Sequence, residues 1–493
     1  MQLIDGVWTK GRGELLQSHN PATGDILWQH NAADDAQTKD AVAAARRAQS
    51  AWQATAFEQR LAIAKRFSAL IEARSGELSE LIAKETGKVL WDAKSEVAAT
   101  IGKVKFAEAA YLERSFSKTS VNPSAQGVAS ALRHCAHGVM AVYGPYNFPA
   151  HLPNGHITPA LLAGNTVVFK PSELTPAVAE WMVKCWNEAG LPEGVLNLVQ
   201  GAREVGMVLA ASEIDGVLFT GSSATGKALH AQFAGRPEIL LALEMGGNNP
   251  LIVHDIGTDE MTIKAAVREI ILSAFIGSGQ RCTCARRLII TDGPWKKKLM
   301  DALVKTVAAL KVGTYDELPE PFMGPLISMR EAKRLLDAQE KLKAMGGIVL
   351  HPLRLLRDGL PFLSPCVIDV TAVADLPDEE YFGPLLQIVQ VAGIEQAWNV
   401  ANHTQFGLSA GIFSSSRDIY EQGLNRLHAG LINWNKQTTG ASGSAPFGGV
   451  GASGNHRPAG YYAADYCAYP IASVESEQLV LPESMESGLE IIL

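Results

Sequence analysis

The sequence is poor in cysteine, and its few cysteines do not form the pattern of a metal site or a disulfide framework. Six cysteines are spread over 493 residues, with no CxxC pair and no cysteine–histidine cluster at zinc-like spacing. A chain of this length can bury a large core without a metal or disulfides. We therefore expect reduced thiols, as in the cytosol, and no metal site.

Long apolar runs and blocks of like charge are absent as well. No apolar run reaches the roughly 18 residues of a membrane helix, and the first residues lack the basic start and apolar core of a signal peptide. The formal net charge is −8, and no basic stripe runs along the chain. We therefore expect a cytoplasmic protein that binds neither membrane nor nucleic acid.

What the chain does contain is a globular composition, 47% hydrophobic and 19% charged, with alternating helical and strand patterns. Residues 36–114 predict helices, because apolar residues recur there at helical spacing. Short apolar runs then alternate with helical stretches and predict buried strands at 138–143, 166–170, 195–199, 216–220, 287–290 and 386–389. This alternation predicts two α/β domains with parallel sheets covered on both faces. Residues 115–137 predict a separate hairpin.

Two glycine motifs resemble nucleotide-binding loops, but the residues and elements around them do not fit such loops. Residues 221–227 fit GxxxxGK, yet position 228 is alanine, so the hydroxyl that would hold magnesium is missing. This segment could still offer helix N-terminal N–H groups to the phosphates of a dinucleotide. Residues 449–454 fit GxGxxG, but no strand closely precedes them and no helix follows. They predict a mobile or closely packed loop.

Cys282 lies in the glycine-rich segment 277–284 (GSGQRCTC), beside Arg281. A neighbouring positive charge favours the thiolate, so we expect a lowered pKa for this thiol. A thiolate is the nucleophile that attacks a carbonyl group. Taken alone the signal is weak, because a single cysteine is more often a small buried apolar residue.

Two further segments supply the other groups that carbonyl chemistry needs. Glu244 closes an apolar run and precedes two glycines, so burial is expected to raise its pKa and make it a base. Asn147 lies between prolines and aromatic rings in 144–149 (GPYNFP), where its amide could donate to an oxyanion. Each segment alone also fits an ordinary turn.

Taken together, seven ordered motifs resemble the aldehyde dehydrogenase superfamily, from Ile4 almost to the end of the chain. They are GPYNFP (144–149), FKPSE (169–173), FTGS (219–222), LEMGGNNP (243–250), GQRC (279–282), EEYFGP (379–384) and PFGG (446–449). The resemblance implies an α/β fold with a Rossmann-like NAD-binding domain at 1–114 and 138–246 and an α/β catalytic domain at 247–464. It also implies oligomerisation strands and a tail at 115–137 and 465–493, in a homodimer or homotetramer.

The resemblance also implies a role for each site residue. Cys282 would form a thiohemiacetal and then a thioester, with the oxyanion held by the Asn147 amide and the Cys282 N–H. Glu244 would activate the hydrolytic water. NAD would be the cofactor, because Glu173 would accept bonds from the adenosine ribose and repel a 2′-phosphate. The other implied NAD contacts are Lys170, Thr220, Gly221, Ser222, Ser223, Ala224, Thr225, Glu380 and Phe382.

The C-terminal segments 430–442 and 445–470 resemble the succinylglutamate-semialdehyde dehydrogenases of bacterial arginine catabolism. The implied substrate is N-succinyl-L-glutamate 5-semialdehyde, whose two carboxylates lie away from the aldehyde. Such a substrate needs fixed cations, and arginine suits carboxylates because its planar fork binds both oxygens. The candidates are Arg281, His151, His456 and Arg457, and Arg457 equally fits a surface loop.

Three alternatives remain open from the sequence. The chain could act on another semialdehyde, such as that of glutamate or succinate. It could be a relative that transfers the acyl group to CoA or phosphate, although Glu244 argues for water as the acceptor. It could also be an inactive NAD-binding scaffold, against which the presence of Cys282, Glu244 and Asn147 together argues.

Overall fold

The structure is a computed structural model that describes residues 1–121, 128–482 and 484–493. Its α-helices are α1 (Asp35–Ala54), α2 (Phe57–Ala73), α3 (Ser75–Thr86), α4 (Leu90–Ala110), α5 (His151–Ala163), α6 (Pro176–Glu188), α7 (Arg203–Ala211), α8 (Ser223–Gln232), α9 (Glu260–Phe275), α10 (Lys296–Ala308), α11 (Met329–Ala344), α12 (Ile394–Asn402), α13 (Arg417–Arg426) and α14 (Ala463–Tyr466). A π-helical turn covers Tyr111–Ser115 and a 3-10 turn covers Ile276–Gly279. Within the described ranges, no helix is long and apolar enough to cross a membrane.

The strands are also numbered along the chain. They are β1 (Gln2–Ile4), β2 (Val7–Thr9), β3 (Leu15–His19), β4 (Ile26–Asn31), β5 (Lys118–Val121), β6 (Val128–Ala136), β7 (Val139–Tyr143), β8 (Thr166–Lys170), β9 (Leu196–Leu198), β10 (Gly216–Gly221), β11 (Leu240–Met245), β12 (Asn249–Val253), β13 (Ala285–Thr291), β14 (Ile348–His351), β15 (Leu355–Arg357), β16 (Leu360–Leu363), β17 (Cys366–Asp369), β18 (Leu385–Val391), β19 (Phe406–Gly407), β20 (Ser409–Phe413), β21 (Leu431–Trp434), β22 (Pro446–Phe447), β23 (Val450–Gly451), β24 (Ala459–Gly460) and β25 (Ala468–Ser476).

The first large sheet has the order β11-β10-β7-β8-β9-β1-β2. Its five strands from β11 to β9 are parallel, and β1 and β2 extend it antiparallel. Alternate residues of β7 enter different apolar clusters, Met140 and Val142 on one face and Val139 and Ala141 on the other. Helices therefore cover both faces, as continuous apolar strand runs predict for a parallel sheet.

The second large sheet has the order β14-β17-β18-β13-β12-β20-β21, and only β14 runs antiparallel to its neighbour. Its centre, β13, is buried at every position even though it contains Arg286 and Arg287. Two parallel-sheet units with helices on both faces make up the mixed α/β aldehyde dehydrogenase fold that the motifs imply. The domain boundaries given above stay a prediction.

A smaller antiparallel sheet joins the predicted hairpin to the C-terminal part of the chain. β5 pairs with β6, and β25 pairs with the other edge of β6 along nine residues, from Ala468 opposite Ala136 to Ser476 opposite Val128. The connection at 122–127 lies outside the described residues. The hairpin prediction is thus confirmed for the two strands, and the third strand comes from the predicted tail.

The active-site candidates gather where the two large sheets face each other. β7, β8, β10 and β11 end at Tyr143, Lys170, Gly221 and Met245, and these carboxyl ends lie at one edge of the first sheet. In open α/β sheets, ligands bind at this edge. The second sheet contributes the residues that precede β13, which include Cys282.

Candidate active site

The loop that carries Cys282 follows the 3-10 turn Ile276–Gly279 and immediately precedes β13. Gly279 has a left-handed φ of 71°. A Cβ at Gly279 would lie 2.2 Å from the carbonyl oxygen of Gly383. Only glycine permits both this conformation and this approach, so the glycine-rich sequence shapes the backbone beneath the thiol.

Asn249, the first residue of β12, holds the Cys282 loop in place. Its Nδ2 donates to the carbonyl oxygens of Cys282 at 2.7 Å and Cys284 at 2.9 Å. Its Oδ1 accepts the backbone N–H of Ser409 at 3.0 Å. The sequence analysis did not single out Asn249, although a polar residue opening an apolar strand is the signal that could have found it.

Asn147 follows β7 and is almost completely buried, with 7% of its surface exposed. Its Nδ2 donates one hydrogen bond to the carbonyl oxygen of Gln280 at 2.8 Å. An amide nitrogen carries two hydrogens, so the second remains for another acceptor. The backbone N–H of Cys282 has no acceptor among the described residues. Two donors are therefore available near this thiol.

Glu244 lies next to the last residue of β11 and is 3% exposed. Its Oε1 accepts the N–H of Ala459 at 3.4 Å, while its Oε2 is buried without a partner in the described part of the chain. Burial raises the pKa of this carboxyl well above its ordinary value. The prediction of a raised pKa at Glu244 is therefore confirmed, and such a group can exchange a proton near neutral pH.

The thiol of Cys282 differs from its prediction. Burial, followed by the negative charges of Glu380 and Glu244, raises its pKa to about 12. The expected lowering by Arg281 is wrong, because the guanidinium of Arg281 pairs with the fully buried carboxylate of Asp92. Cys282 is therefore a protonated thiol in this structure, and its reaction needs a base to remove the proton.

Glu380 lies between the two sheets, with its carboxylate against Gly246. A Cβ at Gly246 would be 1.9 Å from Oε2 of Glu380, and Oε1 of Glu380 is buried and accepts no hydrogen bond from the described residues. The fully buried Arg286 lies 3.7 Å from this carboxylate and donates to the carbonyl oxygens of Gly279 and Arg281. Arg286 was missed, although an arginine inside an apolar strand is an unusual signal.

Phe382 and the Glu380 carboxylate lie on the same side of Arg286. The Phe382 ring meets the Tyr146 ring edge-on at 6.1 Å, and the Arg286 guanidinium lies 5.3 Å from the Phe382 ring centre. These contacts fix the two residues predicted to contact the nicotinamide ribose. The unpartnered Glu380 oxygen fits a hydroxyl donor, as a ribose would supply.

The predicted phosphate-facing residues gather at the start of α8. Thr220 and Gly221 end β10, Ser222 is the N-cap, and the helix begins with Ser223, Ala224 and Thr225. Ser222 Oγ accepts the N–H of Thr225 at 3.3 Å, and the first N–H groups of such a helix suit an anion.

The GxxxxGK motif does not form a phosphate-wrapping loop. α8 already starts at Ser223, so Gly226 and Lys227 lie within the helix, and Lys227 Nζ donates to Gln405 at 3.0 Å. Of the features considered for a phosphate site in this segment, the structure contains the helix N-terminus but not the loop.

Lys170 and Glu173 lie at the end of β8, as their motif predicts. Lys170 is 8% exposed, its Nζ donates to the carbonyl of Pro171 at 2.9 Å, and it lies 3.7 Å from the Glu173 carboxylate. Glu173 keeps 41% of its side chain exposed. The exposed Glu173 carboxylate can accept a hydrogen bond from one hydroxyl, and the fixed Lys170 ammonium can donate to another, which fits a ribose.

His151 and Arg281 both lie against the Phe148 ring. The ring centre of Phe148 is 6.1 Å from that of His151 and 5.0 Å from the Arg281 guanidinium. Burial and then the charges of Lys103, Lys88 and Arg281 lower the pKa of His151 well below its ordinary value. His151 is therefore neutral at neutral pH, and its Nδ1 is buried without a partner among the described residues.

His456 and Arg457 lie on an exposed loop and are not brought to Arg281 and His151. The Arg457 guanidinium reaches only the carbonyl of His456, at 3.5 Å. The preceding GxGxxG segment is closely packed, with Ser453 Oγ donating to the carbonyl of Gly246 at 2.7 Å and Gly454 bridging to Glu244. The sequence predicted either a mobile or a closely packed loop for residues 449–454, and the structure shows the closely packed loop.

No metal centre competes with these assignments in the described ranges, where no group of three or more histidine, cysteine, aspartate or glutamate side chains could hold an ion. The arrangement instead combines a buried thiol, a carboxyl with a raised pKa and two hydrogen-bond donors. These are the elements of acyl transfer through a covalent intermediate.

Comparisons with known proteins lead to the same chemistry. The aldehyde dehydrogenase family profile matches residues 8–470. A methylmalonate-semialdehyde dehydrogenase from Oceanimonas doudoroffii is 25% identical, with a TM-score of 0.91 and coverage of 97% of this chain and 98% of the other. An NADP-dependent enzyme from Escherichia coli is 28% identical, with a TM-score of 0.89 and coverage of 97% and 98%. A betaine aldehyde dehydrogenase from Staphylococcus aureus, solved with NAD⁺, is 26% identical, with a TM-score of 0.89 and coverage of 99% and 98%.

The family match extends over most of the chain, and the similar structures cover it almost from end to end. The chain belongs to the aldehyde dehydrogenase family and is an NAD(P)-dependent aldehyde dehydrogenase.

Proposed function

We propose that this enzyme oxidises N-succinyl-L-glutamate 5-semialdehyde to N-succinyl-L-glutamate with NAD, in the succinyltransferase route of arginine degradation. The observation that carries the proposal is a buried thiol flanked by a carboxyl of raised pKa, near His151 and the two cations Arg281 and Lys103 whose charges act on it. The resemblance of segments 430–442 and 445–470 supports this substrate. Free thiols at all six cysteines fit the cytoplasmic setting that we expect.

The first step is attack of Cys282 Sγ on the aldehyde carbon. The thiol must lose a proton, and Glu244 is the base whose raised pKa suits that transfer. The new C–S bond converts the carbonyl oxygen into an oxyanion. Asn147 Nδ2 and the Cys282 backbone N–H are the two donors for this oxygen.

The second step breaks the C–H bond of the thiohemiacetal and leaves a thioester on Cys282. NAD, when bound, supplies the acceptor for the hydride that leaves this carbon. Once Glu244 has released the thiol proton to solvent, it takes a proton from water, whose oxygen attacks the thioester carbon, and Cys282 departs as a thiolate that regains a proton. The carboxylate product therefore gains its second oxygen from water.

The residues proposed to hold NAD fit its parts. Glu173 has an exposed carboxylate for the adenosine ribose hydroxyls, α8 presents N-terminal N–H groups to the pyrophosphate, and Glu380 has an unpartnered buried oxygen for the second ribose. Relatives have been solved with NAD⁺ or described as NADP-dependent. Glu173 favours NAD here, because its charge opposes a 2′-phosphate.

Replacing Glu173 with glutamine tests the cofactor preference. The change should lower kcat/KM with NAD and raise it with NADP, shifting the ratio of the two by on the order of 10-fold, because the carboxylate charge disappears. Steady-state kinetics with both cofactors measures this ratio. Glu204→Gln, at a glutamate on α7, is the control and should leave the ratio unchanged. An unaltered ratio in Glu173→Gln would contradict the assignment.

Replacing Asn147 with alanine tests the oxyanion contact. The loss of one donor should lower kcat by about 10²–10³-fold, while the affinity for NAD stays the same. Asn147→Asp keeps the size of the side chain but replaces the donor with an acceptor, so it should be at least as damaging. Pre-steady-state measurement of NADH formation separates this effect from later steps. If kcat stayed within a few-fold of wild type in both variants, Asn147 would not stabilise the oxyanion.

The substrate itself is tested by a panel of aldehydes with NAD. We expect the highest kcat/KM for N-succinylglutamate semialdehyde, above the semialdehydes of glutamate and succinate and above neutral aldehydes. Methylmalonate semialdehyde belongs in the panel, because one similar enzyme acts on it. If another semialdehyde is preferred by 10-fold or more, the proposed substrate is wrong while aldehyde oxidation stands.

The assembly that we propose is a homodimer or homotetramer built through the small sheet. β25 has exposed apolar side chains on its outer residues, including Ile471 at 38% and Val474 at 77%, and Leu132 of β6 is also exposed at 38%. Exposed apolar residues on a strand at a sheet edge are typical of a surface that pairs with another chain.

A further inference from the structure

Three charged side chains lie along one face of α4. Asp92, Glu96 and Lys103 are spaced by four and seven residues, which places them on the same side of a helix. The two acidic residues have cationic partners, because Asp92 pairs with Arg281 and Glu96 pairs with Lys88. Lys103 forms no hydrogen bond or ion pair within the described ranges of the chain.

Lys103 lies against α5, on the face that begins with His151. Gly155 is four residues after His151, so both lie on one side of α5. A Cβ at Gly155 would lie 3.5 Å from Lys103 Nζ, so a longer side chain there would occupy the space beside the ammonium. We call the region lined by Lys103, His151, Gly155 and Arg281 the distal pocket.

The charges of the distal pocket do not balance. Asp92 and Glu96 are buried and neutralise Arg281 and Lys88. No carboxylate raises the pKa of Lys103, and burial alone lowers it to about 8. Lys103 is partly exposed, and a cation that has lost part of its hydration without gaining a counter-ion destabilises the fold. A bound anion would offset this cost, and the ammonium is still mostly charged at neutral pH.

Lys103 lies towards the opposite end of α4 from Asp92, the residue that holds Arg281. Lys103 lies eleven residues beyond Asp92, or roughly 16 Å along the helix axis, and helix side chains lean back towards the N-terminus. Asp92 holds Arg281, the neighbour of Cys282. The terminal succinyl carboxylate is about eight bonds from the aldehyde carbon, or roughly 10 Å when extended. The carboxylate on the α-carbon is much closer to the aldehyde.

The loop between the two segments that resemble succinylglutamate-semialdehyde dehydrogenases contacts α4. Phe106 lies one turn beyond Lys103 on α4, and a Cβ at Gly443 would be 2.4 Å from its ring. The loop that contains Gly443 also carries Ser442 and Ser444, whose hydroxyls are 2.9 Å apart. This loop therefore lies one helical turn from Lys103.

We propose that Lys103 binds the substrate carboxylate farthest from the aldehyde and thereby sets a preference for carboxylated over neutral aldehydes. This inference rests on the proposed oxidation at Cys282. Lys103 differs from Arg281 in that no protein carboxylate already neutralises it. An ammonium acts as a compact point charge and tolerates carboxylates that approach from several directions.

The test compares each carboxylated aldehyde with its methyl ester at the remote carboxylate. In Lys103→Met, the ratio of kcat/KM for acid over ester should fall by about 10–100-fold, mainly through KM, because a charge-assisted contact is lost. Lys103→Arg should restore most of the ratio. Lys105→Met, at an exposed lysine on the same helix, should leave the ratio unchanged. Calorimetric binding of N-succinylglutamate and its monomethyl ester gives a readout independent of turnover.

The possible results distinguish a failure of the proposed role of Lys103 from a failure of the proposed substrate. If Lys103→Met loses acid and ester activity equally, or keeps the wild-type ratio, the inference is wrong. If the wild-type enzyme prefers a different carboxylated aldehyde, the proposed substrate fails, and the acid-to-ester ratio of that aldehyde still decides the role of Lys103. If the wild-type enzyme oxidises every acid and its ester equally well, Lys103 selects no carboxylate, although aldehyde oxidation stands.

Discussion

Replacing Cys282 with alanine is expected to reduce NADH production by at least about 10⁴-fold, the scale seen when a covalent nucleophile is removed. Cys282 is the thiol whose pKa responds directly to the charge of Glu244. The remaining binding contacts should persist, so NAD should bind with unchanged affinity. Measurement of NADH formation at saturating aldehyde, together with NAD binding followed by fluorescence, checks both expectations.

Cys284 provides a matched control for that experiment. It lies two residues away, is completely buried, and has only a long contact from its sulfur to the carbonyl oxygen of Ile276 at 3.8 Å. Burial also raises the pKa of its thiol. Cys284→Ala should retain activity within a few-fold of wild type. If activity survived in Cys282→Ala but disappeared in Cys284→Ala, the nucleophile would be Cys284 and not Cys282.

Replacing Glu244 with glutamine is expected to slow turnover by about 10²–10⁴-fold, the range for removal of a general base. Because Glu244 is proposed to take the proton of the Cys282 thiol as well as that of water, the variant should form NADH slowly already in the first turnover. Rapid mixing with NADH detection measures the rate of that first turnover. A variant that turns over at the wild-type rate would show that water is activated elsewhere.

The pH dependence of hydrolysis follows from the raised pKa of Glu244. A carboxyl is a base only when it is ionised, and burial keeps this carboxyl protonated well above the ordinary glutamate range. The hydrolysis rate should therefore increase with pH through the raised pKa, instead of being constant above about pH 6. Glu244→Gln should lose that increase. Glu238→Gln, at an exposed residue just before β11, is the control and should keep it.

The apolar patterns of the sequence predict the strands of the first sheet closely. β8 occupies the predicted residues 166–170, and β7 starts only one residue later than predicted. Central parallel strands are buried on both faces, so their sequences are nearly continuous apolar runs. The predicted strand at 195–199 is shorter in the structure, Leu196–Leu198, although the flanking Val195 and Val199 are buried and still hydrogen-bond to the backbone of β8.

The electrostatics of the site were harder to predict, since they depend on residues far away in the sequence. Arg281 is next to Cys282 in the chain, yet its charge is taken up by Asp92, 189 residues earlier. Glu380 and Glu244 raise the pKa of the thiol from two other segments. A sequence shows which charges are adjacent along the chain, whereas a pKa depends on burial and on charges adjacent in space.

The same limit explains why Lys103 and Arg286 escaped the sequence analysis. Lys103 lies in a helical stretch where a lysine normally belongs to a solvated face. Only the packing of α4 against α5 places its ammonium beside Gly155. Arg286 carried a stronger signal, because it interrupts an apolar strand and had to find buried acceptors. The carbonyl oxygens of Gly279 and Arg281 are those acceptors.

Acid quenching of the enzyme during turnover, followed by peptide mass spectrometry, tests the sulfur chemistry most directly. Cleavage after Arg281 and Arg286 releases residues 282–286, and the Cys284→Ala background leaves a single cysteine in that peptide. We predict that this peptide gains the mass of the acyl group of the substrate. An acyl group found on another residue, or full turnover by an enzyme that has no sulfur at position 282, would contradict the account.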